Sequence, residues 1–541
     1  MKALLLVLSA ILFAWAWMVP VHRTPWTTFH SEILSFSAVL SICLIFVLRP
    51  LTIRKPQLIG AIFLLLPMGQ WLFGQQLYLS NALLCTAYIV MFWLMIAMGD
   101  QLSQTTAARE NLFKWGCLLL FVVALASCFI AMVQWLHLSP LYGPYMSALK
   151  GNRPYANFAQ PNNFATFLTM GLLATLYCFE KRHLPAVWVS LFAALFIFSI
   201  ALTQSRTSWV VALFLLLYCW GFRKRASLRI KPWQLLLGLT WFVLCVVYLP
   251  VITTTITTWT GQPITHTVSA VERASSGYLR LDMWKQSLIA IFQQPWFGYG
   301  WNQTGMAQIA AFDHYPSNEW YKSAHNIVLD LVIWNGIPIA IVLLSYLSLW
   351  MVWLQKGVRD VVSVFASLMV AAILIHALLE YPIHYAYFLL PMGFLLGVIQ
   401  AQYPKLPAWT LPRPVMALWI VIVVVCMTVF SLDYTRYKTL NIAASNGQLS
   451  SKDQHSIVLL DQFKQRLWWL NTDPYQKRSI EEIQYIQRMV AQSASYYDLL
   501  KYAKVLFANG QVQEARHQIW IINTLHNKNI SLQDLEQKTT S

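Results

Sequence analysis

Apolar residues run in long blocks along this chain, and polar residues collect in the stretches between them. The blocks fall at about 4–20, 33–48, 57–73, 77–97, 111–136, 163–179, 185–202, 208–220, 233–250, 325–347, 360–380, 384–400 and 414–432. Each is compatible with an α-helix crossing roughly 30 Å of hydrocarbon once ends and tilt are allowed for. The pattern therefore predicts thirteen spans, 208–220 being the shortest. No small-x-small cleavage site precedes the polar segment after the first block, which reads as a retained span rather than a leader. The expected fold class is an all-α polytopic membrane protein: a membrane domain over 1–432, a large loop within it at 251–324, and a polar helical tail over 433–541.

Composition agrees with that picture. The 541 residues are 58% hydrophobic and 11% charged, whereas a soluble chain of this length would divide into domains with more polar surface. Charge then orients the spans. With the N-terminus inside, six consecutive inner loops carry Arg49, Arg54 and Lys55, then Arg109 and Lys114, Lys181 and Arg182, the run FRKRASLRIK at 222–231, Lys356 and Arg359, and Lys405 and Arg413. This is the positive-inside arrangement. It accounts for much of the formal charge of +17, so no nucleic-acid partner is needed to explain it. The eight cysteines all lie in apolar runs without CxxC spacing, and read as small hydrophobes rather than a disulfide or metal framework.

Three outer segments depart from short connections. His137–Asn163 contains SPLYGPYMSALKGNRPYANFAQPNNFATF across its end, rich in Pro, Gly, Asn and Gln, which reads either as a structured loop or as a ligand contact. The brief turn ALTQSRTSWV at 201–210 carries Arg206, which at that depth either anchors at the interface or meets an anion. In the large loop, a Thr- and Ser-rich part precedes YLRLDMWKQSLIAIFQQPWFGYGW, whose apolar spacing predicts an amphipathic helix along the interface ended by Pro295 and the Gly298/Gly300 turn. Arg273, Arg280 and Lys285 lie on or near it, where basic residues ordinarily face water or headgroups. The tail contains DQFKQRLWWL, SIEEIQYIQRMV and a final helical pair interrupted at Asn509-Gly510 that resembles one tetratricopeptide hairpin. It suits either a protein partner or packing against the membrane domain.

Walker A, Rossmann, HExxH and nucleophile-elbow signatures are absent. Carboxylates toward the outer face are Glu272, Asp282, Asp313, Glu319, Asp330 and Glu380, and none forms a DxD pair, which favours metal-free chemistry. Arginines suggest another route: Arg206, Arg280 and Arg153, if brought together, would clamp a pyrophosphate through fixed bidentate donors. His325, in SAHNIVLD, stands where a polar segment becomes apolar. An imidazole titrates near neutral pH and serves as a general base. The alternative for His325 is a helix-start residue satisfied by its neighbours.

Five stretches carry a resemblance to a known family: RPYANFAQPNNFATFL (153–168), QSRTSW (204–209), RLDMWKQSLIAIFQQPWFGYGWNQ (280–303), SAHNIVLDLVIWNGIP (323–338) and LLEYPIHYAYFLLPMG (378–393). Together they resemble the O-antigen ligase superfamily, and more specifically the bacterial protein O-oligosaccharyltransferases. The resemblance implies a GT-C-like multi-span enzyme without a cofactor or metal, placed in the bacterial inner membrane with its catalytic face and C-terminal tail in the periplasm. It implies transfer of a preassembled glycan from an undecaprenyl-pyrophosphate donor to a Ser or Thr hydroxyl of an exported protein, pilin included. On this sequence the catalytic histidine corresponds to His325, and the phosphate-binding arginines to Arg206 and Arg280, with Arg153 a further one; Asn326, Asn162, Asn163 and Tyr381 support the site. The same donor site would serve an O-antigen ligase acting on lipid A-core or a glycan polymerase. The Asn/Pro-rich first stretch favours protein acceptors. A transporter fits the span count but not the clustering of informative residues on one side.

Overall fold

The computed structural model describes all residues except 261–277, Pro404, Gly447 and 537–541, so Glu272 and Arg273 lie outside the described residues. The described residues are predominantly helical, and their strands are Leu51–Arg54 and Ala408–Leu411, one antiparallel pair. Among the described residues, six helices are long and apolar enough to cross a membrane: Phe29–Leu48, Leu79–Leu102, Thr106–Trp135, Pro232–Trp259, Ile327–Gly357 and Arg413–Ser445. Five shorter apolar helices accompany them, Lys2–Met18, Ala186–Leu202, Thr207–Phe222, Val361–Ala377 and Ala386–Gln400. This is the architecture of an all-α polytopic membrane protein.

Two expectations change. The 57–73 block is not one helix: Lys55–Ile59 is followed by a 3-10 segment, Gly60–Leu65, and by Leu66–Leu72 with Pro67 in its first turn. Pro67 has no N–H to continue a preceding helix, which restarts the backbone there. Conversely, the Thr-rich run expected to open the large loop continues a helix to Thr260. Its hydroxyls fold back: Thr253 donates to the Leu249 carbonyl, Thr254 to Pro250 and Thr255 to Val251, so their polar groups are satisfied without leaving the helix.

The chain forms two compact units. The first comprises Met1–Ile59, Val90–Gly277 and Ser348–Ile420. Small residues set its helix spacing: a Cβ on Gly171 would come 2.4 Å from Ala124 Cβ, and one on Gly397 would come 2.2 Å from the Ile96 carbonyl oxygen. At its basic end, Arg54 Nε donates to Asp100 Oδ2 at 3.0 Å, and Gln400 donates to the same oxygen at 3.2 Å.

The second unit comprises Gly60–Ile89, Tyr278–Leu347 and Val421–Ser541. Here the tail is not a free appendage. Buried Trp469, Ile486, Leu506 and Ile522 share a core with Tyr78 and Phe312 from the earlier segments. Asp461 accepts from the backbone N–H groups of Leu79 (2.8 Å) and Ser80 (2.9 Å) at the start of the Leu79–Leu102 helix. The last pair, Tyr496–Ala508 and Val512–His526, packs as a helical hairpin across Gly510, whose φ of +80° suits glycine.

Candidate active site

In the first unit, the Asn/Pro-rich segment is a built loop. Buried Gln134 accepts from the N–H groups of Tyr155 and Ala156 and donates to the carbonyls of Ala156 and Ser147. Pro161 then opens the Pro161–Glu180 helix. Within this frame Arg153 Nε donates to the Thr203 carbonyl at 2.7 Å, and Nη2 donates to Asn162 Oδ1 at 3.0 Å. Asn162 in turn donates to Glu380 Oε1 at 3.1 Å, and Gln160 donates to Glu380 Oε2 at 3.4 Å. Thr203 belongs to the turn that carries Arg206. There Gln204 has φ +50°, Ser205 N–H donates to Thr203 Oγ1, and exposed Arg206 occupies the N-cap position of the 16-residue Thr207–Phe222 helix. The structure thus ties Arg153 to the Arg206 turn through one carbonyl. Arg206 itself stands at the helix N-terminus, a position where the unpaired N–H groups favour an anion.

Asn163 and Tyr381 lie in the same unit. Asn163 is only 1% exposed and donates to the Tyr387 hydroxyl at 3.2 Å, so it links two helices from within. Tyr381 follows Glu380 and N-caps a 3-10 turn, its ring 5.7 Å from that of His384 and 6.1 Å from that of Tyr385.

The second unit holds His325, Asn326 and Arg280. His325 lies just before the Ile327–Gly357 helix, in the left-handed region at φ +52°, where a non-glycine residue is uncommon. Its backbone N–H donates to Ser323 Oγ at 3.1 Å. Asn326 Oδ1 accepts from the N–H groups of Val328 (2.9 Å) and Leu329 (3.3 Å), capping the helix in the manner expected of asparagine. On the Tyr278–Gln293 helix, Trp284 Nε1 donates to the Ala324 carbonyl at 2.9 Å. Arg280 stands four residues before Trp284, one turn away on the same face, and is half-buried.

A break in the Ile327–Gly357 helix supports this arrangement from the other side. Gly336 has φ +74° and ψ 169°, two residues before Pro338. The freed backbone groups are taken up by the Pro295–Gly300 turn: Tyr299 N–H donates to the Ile333 carbonyl (2.8 Å), Gly300 to Trp334 (3.1 Å), and Ile337 donates to Pro295 (2.7 Å). Such re-satisfaction is what permits an irregular backbone inside a membrane helix.

Sequence reasoning missed Gln160, Thr203, Glu380, Ser323 and Trp284 as parts of these constructions, whereas Asn326 carried a local signal as a capping residue type at a helix start.

The fold is that of a polytopic helical membrane protein. Comparison with known proteins gives its chemistry. The O-antigen ligase family matches residues 191–344, a membrane-bound virulence-factor polymerase C-terminal family matches 364–529, and a protein glycosylation ligase family matches 154–179. A general O-oligosaccharyltransferase of Acinetobacter baylyi is 41% identical over 546 residues, covering 100% of this chain and 96% of that protein. A ComP-specific O-oligosaccharyltransferase of the same organism is 30% identical over 352 residues, 64% of this chain and 60% of that one. The enzyme is therefore a glycosyltransferase. The chain belongs to the bacterial protein O-oligosaccharyltransferases of the O-antigen ligase superfamily.

Proposed function

We propose that this enzyme transfers a preassembled oligosaccharide en bloc from undecaprenyl pyrophosphate to Ser or Thr hydroxyls of exported proteins, on the periplasmic side of the bacterial inner membrane. The observation that carries the reading is the built turn that presents His325 at the head of an apolar helix, in a chain alignable from end to end with an O-oligosaccharyltransferase. Arg153 and Arg206, with Arg280, bind the donor pyrophosphate, and His325 orients the acceptor hydroxyl. As the hydroxyl oxygen bonds to the anomeric carbon, its proton passes to His325. The bond from that carbon to the phosphate oxygen breaks, and undecaprenyl pyrophosphate leaves with the electron pair. Direct displacement inverts the anomeric carbon.

The acceptor range is broad, with pilin one member of it. Full-length similarity to the enzyme named as general supports this, since the match to the ComP-specific enzyme covers 64% of the chain. The N-terminus lies in the cytoplasm, thirteen apolar segments cross the membrane, the broken 57–73 block among them, and the 433–541 tail lies in the periplasm. Six basic inner loops support that orientation.

The test is intact-protein and peptide mass spectrometry of co-expressed exported proteins, pilin included, in cells that make a lipid-linked oligosaccharide, comparing wild type with His325→Ala. A glycan mass on Ser or Thr that vanishes in the folded variant is the expected result. Glycan on lipid A-core instead of protein would reassign the enzyme as an O-antigen ligase, and a ladder of lengthened glycan as a polymerase. Normal turnover by folded His325→Ala would remove the histidine from the reaction.

A further inference from the structure

A buried carboxylate that this mechanism does not use stands one turn into the helix that follows His325. Asp330 is 1% exposed, and both of its oxygens are engaged. Oδ2 accepts from Ser323 Oγ at 2.6 Å, while Oδ1 accepts from the Ala324 N–H and from Thr304 Oγ1, each at 2.9 Å. Thr304 is itself held by Trp334 Nε1 at 2.8 Å. The Ser323 oxygen that donates to Asp330 also accepts the His325 N–H. A continuous path therefore runs from the carboxylate through Ser323 to the histidine backbone. On the opposite side of the turn, Trp284 holds the Ala324 carbonyl.

We infer that Asp330 is the positioning residue for His325, clasping the Ser323–Ala324–His325 turn so that the imidazole is presented from a left-handed backbone. The inference rests on the catalytic reading of His325 above. The φ of +52° is the reason a clasp is needed, because a non-glycine residue leaves that region unless its surroundings hold it there. Aspartate suits the task chemically. Its two oxygens accept on both sides at once, and a negative group in the first turn of a helix is favoured by the unpaired N–H groups there. Asparagine has the same size but offers only one accepting oxygen. With the amide oxygen toward Ala324 and Thr304 the Ser323 hydroxyl loses its acceptor, and turned the other way the NH2 faces the Ala324 N–H, which can only donate. The turn would loosen with the helix still capped by Asn326. A displacement on the order of 1 Å at a catalytic group costs about 100-fold in rate.

The experiment compares purified full-length wild type, Asp330→Asn, Thr304→Val and His325→Ala, using lipid-linked oligosaccharide as donor and a purified acceptor protein. For each, kcat, donor KM and melting temperature are measured. Asp330→Asn is expected to lower kcat roughly 10- to 100-fold with donor KM within about 3-fold of wild type, the signature of a misplaced group rather than lost ground-state binding. Thr304→Val removes one of the three bonds to the carboxylate along with the acceptor of Trp334 Nε1, so it lowers melting somewhat, and it is expected to fall between Asp330→Asn and wild type in kcat with donor KM unchanged. If Asp330→Asn fails to fold, the Thr304→Val split decides. Wild-type kcat in these variants, or a kcat loss matched by loss of donor KM and melting temperature, overturns the inference. His325→Ala separates the two readings: an active His325→Ala defeats the catalytic proposal, whereas an inactive one beside a fully active Asp330→Asn defeats only the clasp.

Discussion

Replacing Asp461 with alanine tests whether the tail is part of the membrane unit or merely attached to it. The carboxylate opens the Asp461–Asn471 helix yet receives the first backbone N–H groups of another helix, Leu79 at 2.8 Å and Ser80 at 2.9 Å. Those amides have no partner within their own helix. Loss of such a cap costs about 0.5–2 kcal/mol, and a charged acceptor engaged by two donors belongs near the upper end, about 2 kcal/mol. At roughly 1.4 kcal/mol per tenfold, local opening should become about 30-fold more frequent. Hydrogen-exchange mass spectrometry of the full chain would read this in peptides covering 79–84 and 461–471. Asp461→Asn, which keeps one accepting oxygen, should fall between alanine and wild type. Exchange in Asp461→Ala within about 3-fold of wild type at both peptides would refute the capping argument.

Two further outcomes follow from the same unit. Gly298 has φ +68°, and a Cβ there would come 2.3 Å from the Ile333 carbonyl oxygen and 2.6 Å from Gly336 N, both backbone atoms that cannot swing away. Gly298→Ala should therefore destabilise by roughly 3–5 kcal/mol, combining left-handed strain with overpacking, and thermal melting or yield of folded protein would record it. In the tail, Lys501 donates to the Trp469 and Leu470 carbonyls, and burial pulls its amine down to about 8 from an ordinary 10.5. The folded state then sheds this proton before the unfolded state does, so tail stability should rise as pH increases from about 8 toward 10.5 and be flat below that window. Lys501→Met should flatten the slope in a melting series across that range, and an unchanged slope would exclude Lys501 as its origin.

Much of the architecture was legible because membrane insertion depends on summed local hydrophobicity. Blocks such as 111–136 and 414–432 declare themselves without any knowledge of their neighbours, and the structure places long helices over both. The block at 57–73 shows the limit of that logic. Its mean character is apolar, but Gly60 lies so close to Tyr346 that a Cβ would meet the hydroxyl at 2.5 Å, and Pro67 restarts the backbone. The Thr-rich 251–260 run erred the other way, since its composition resembles a loop while its hydroxyls find partners one turn back.

By itself the sequence determined the class of molecule and the spacing of its apolar segments, and it nominated residue types with useful chemistry, His325 and the arginines among them. These are properties of single residues and short windows. Only the tertiary structure decided which polar groups serve one another: Asp330 behind the His325 turn, Glu380 behind Asn162 and Arg153, and Asp461 at the start of a helix almost four hundred residues earlier. The physical reason is that a buried hydrogen bond must be satisfied by whichever group the folded chain brings within about 3 Å, and sequence separation sets no preference among candidates.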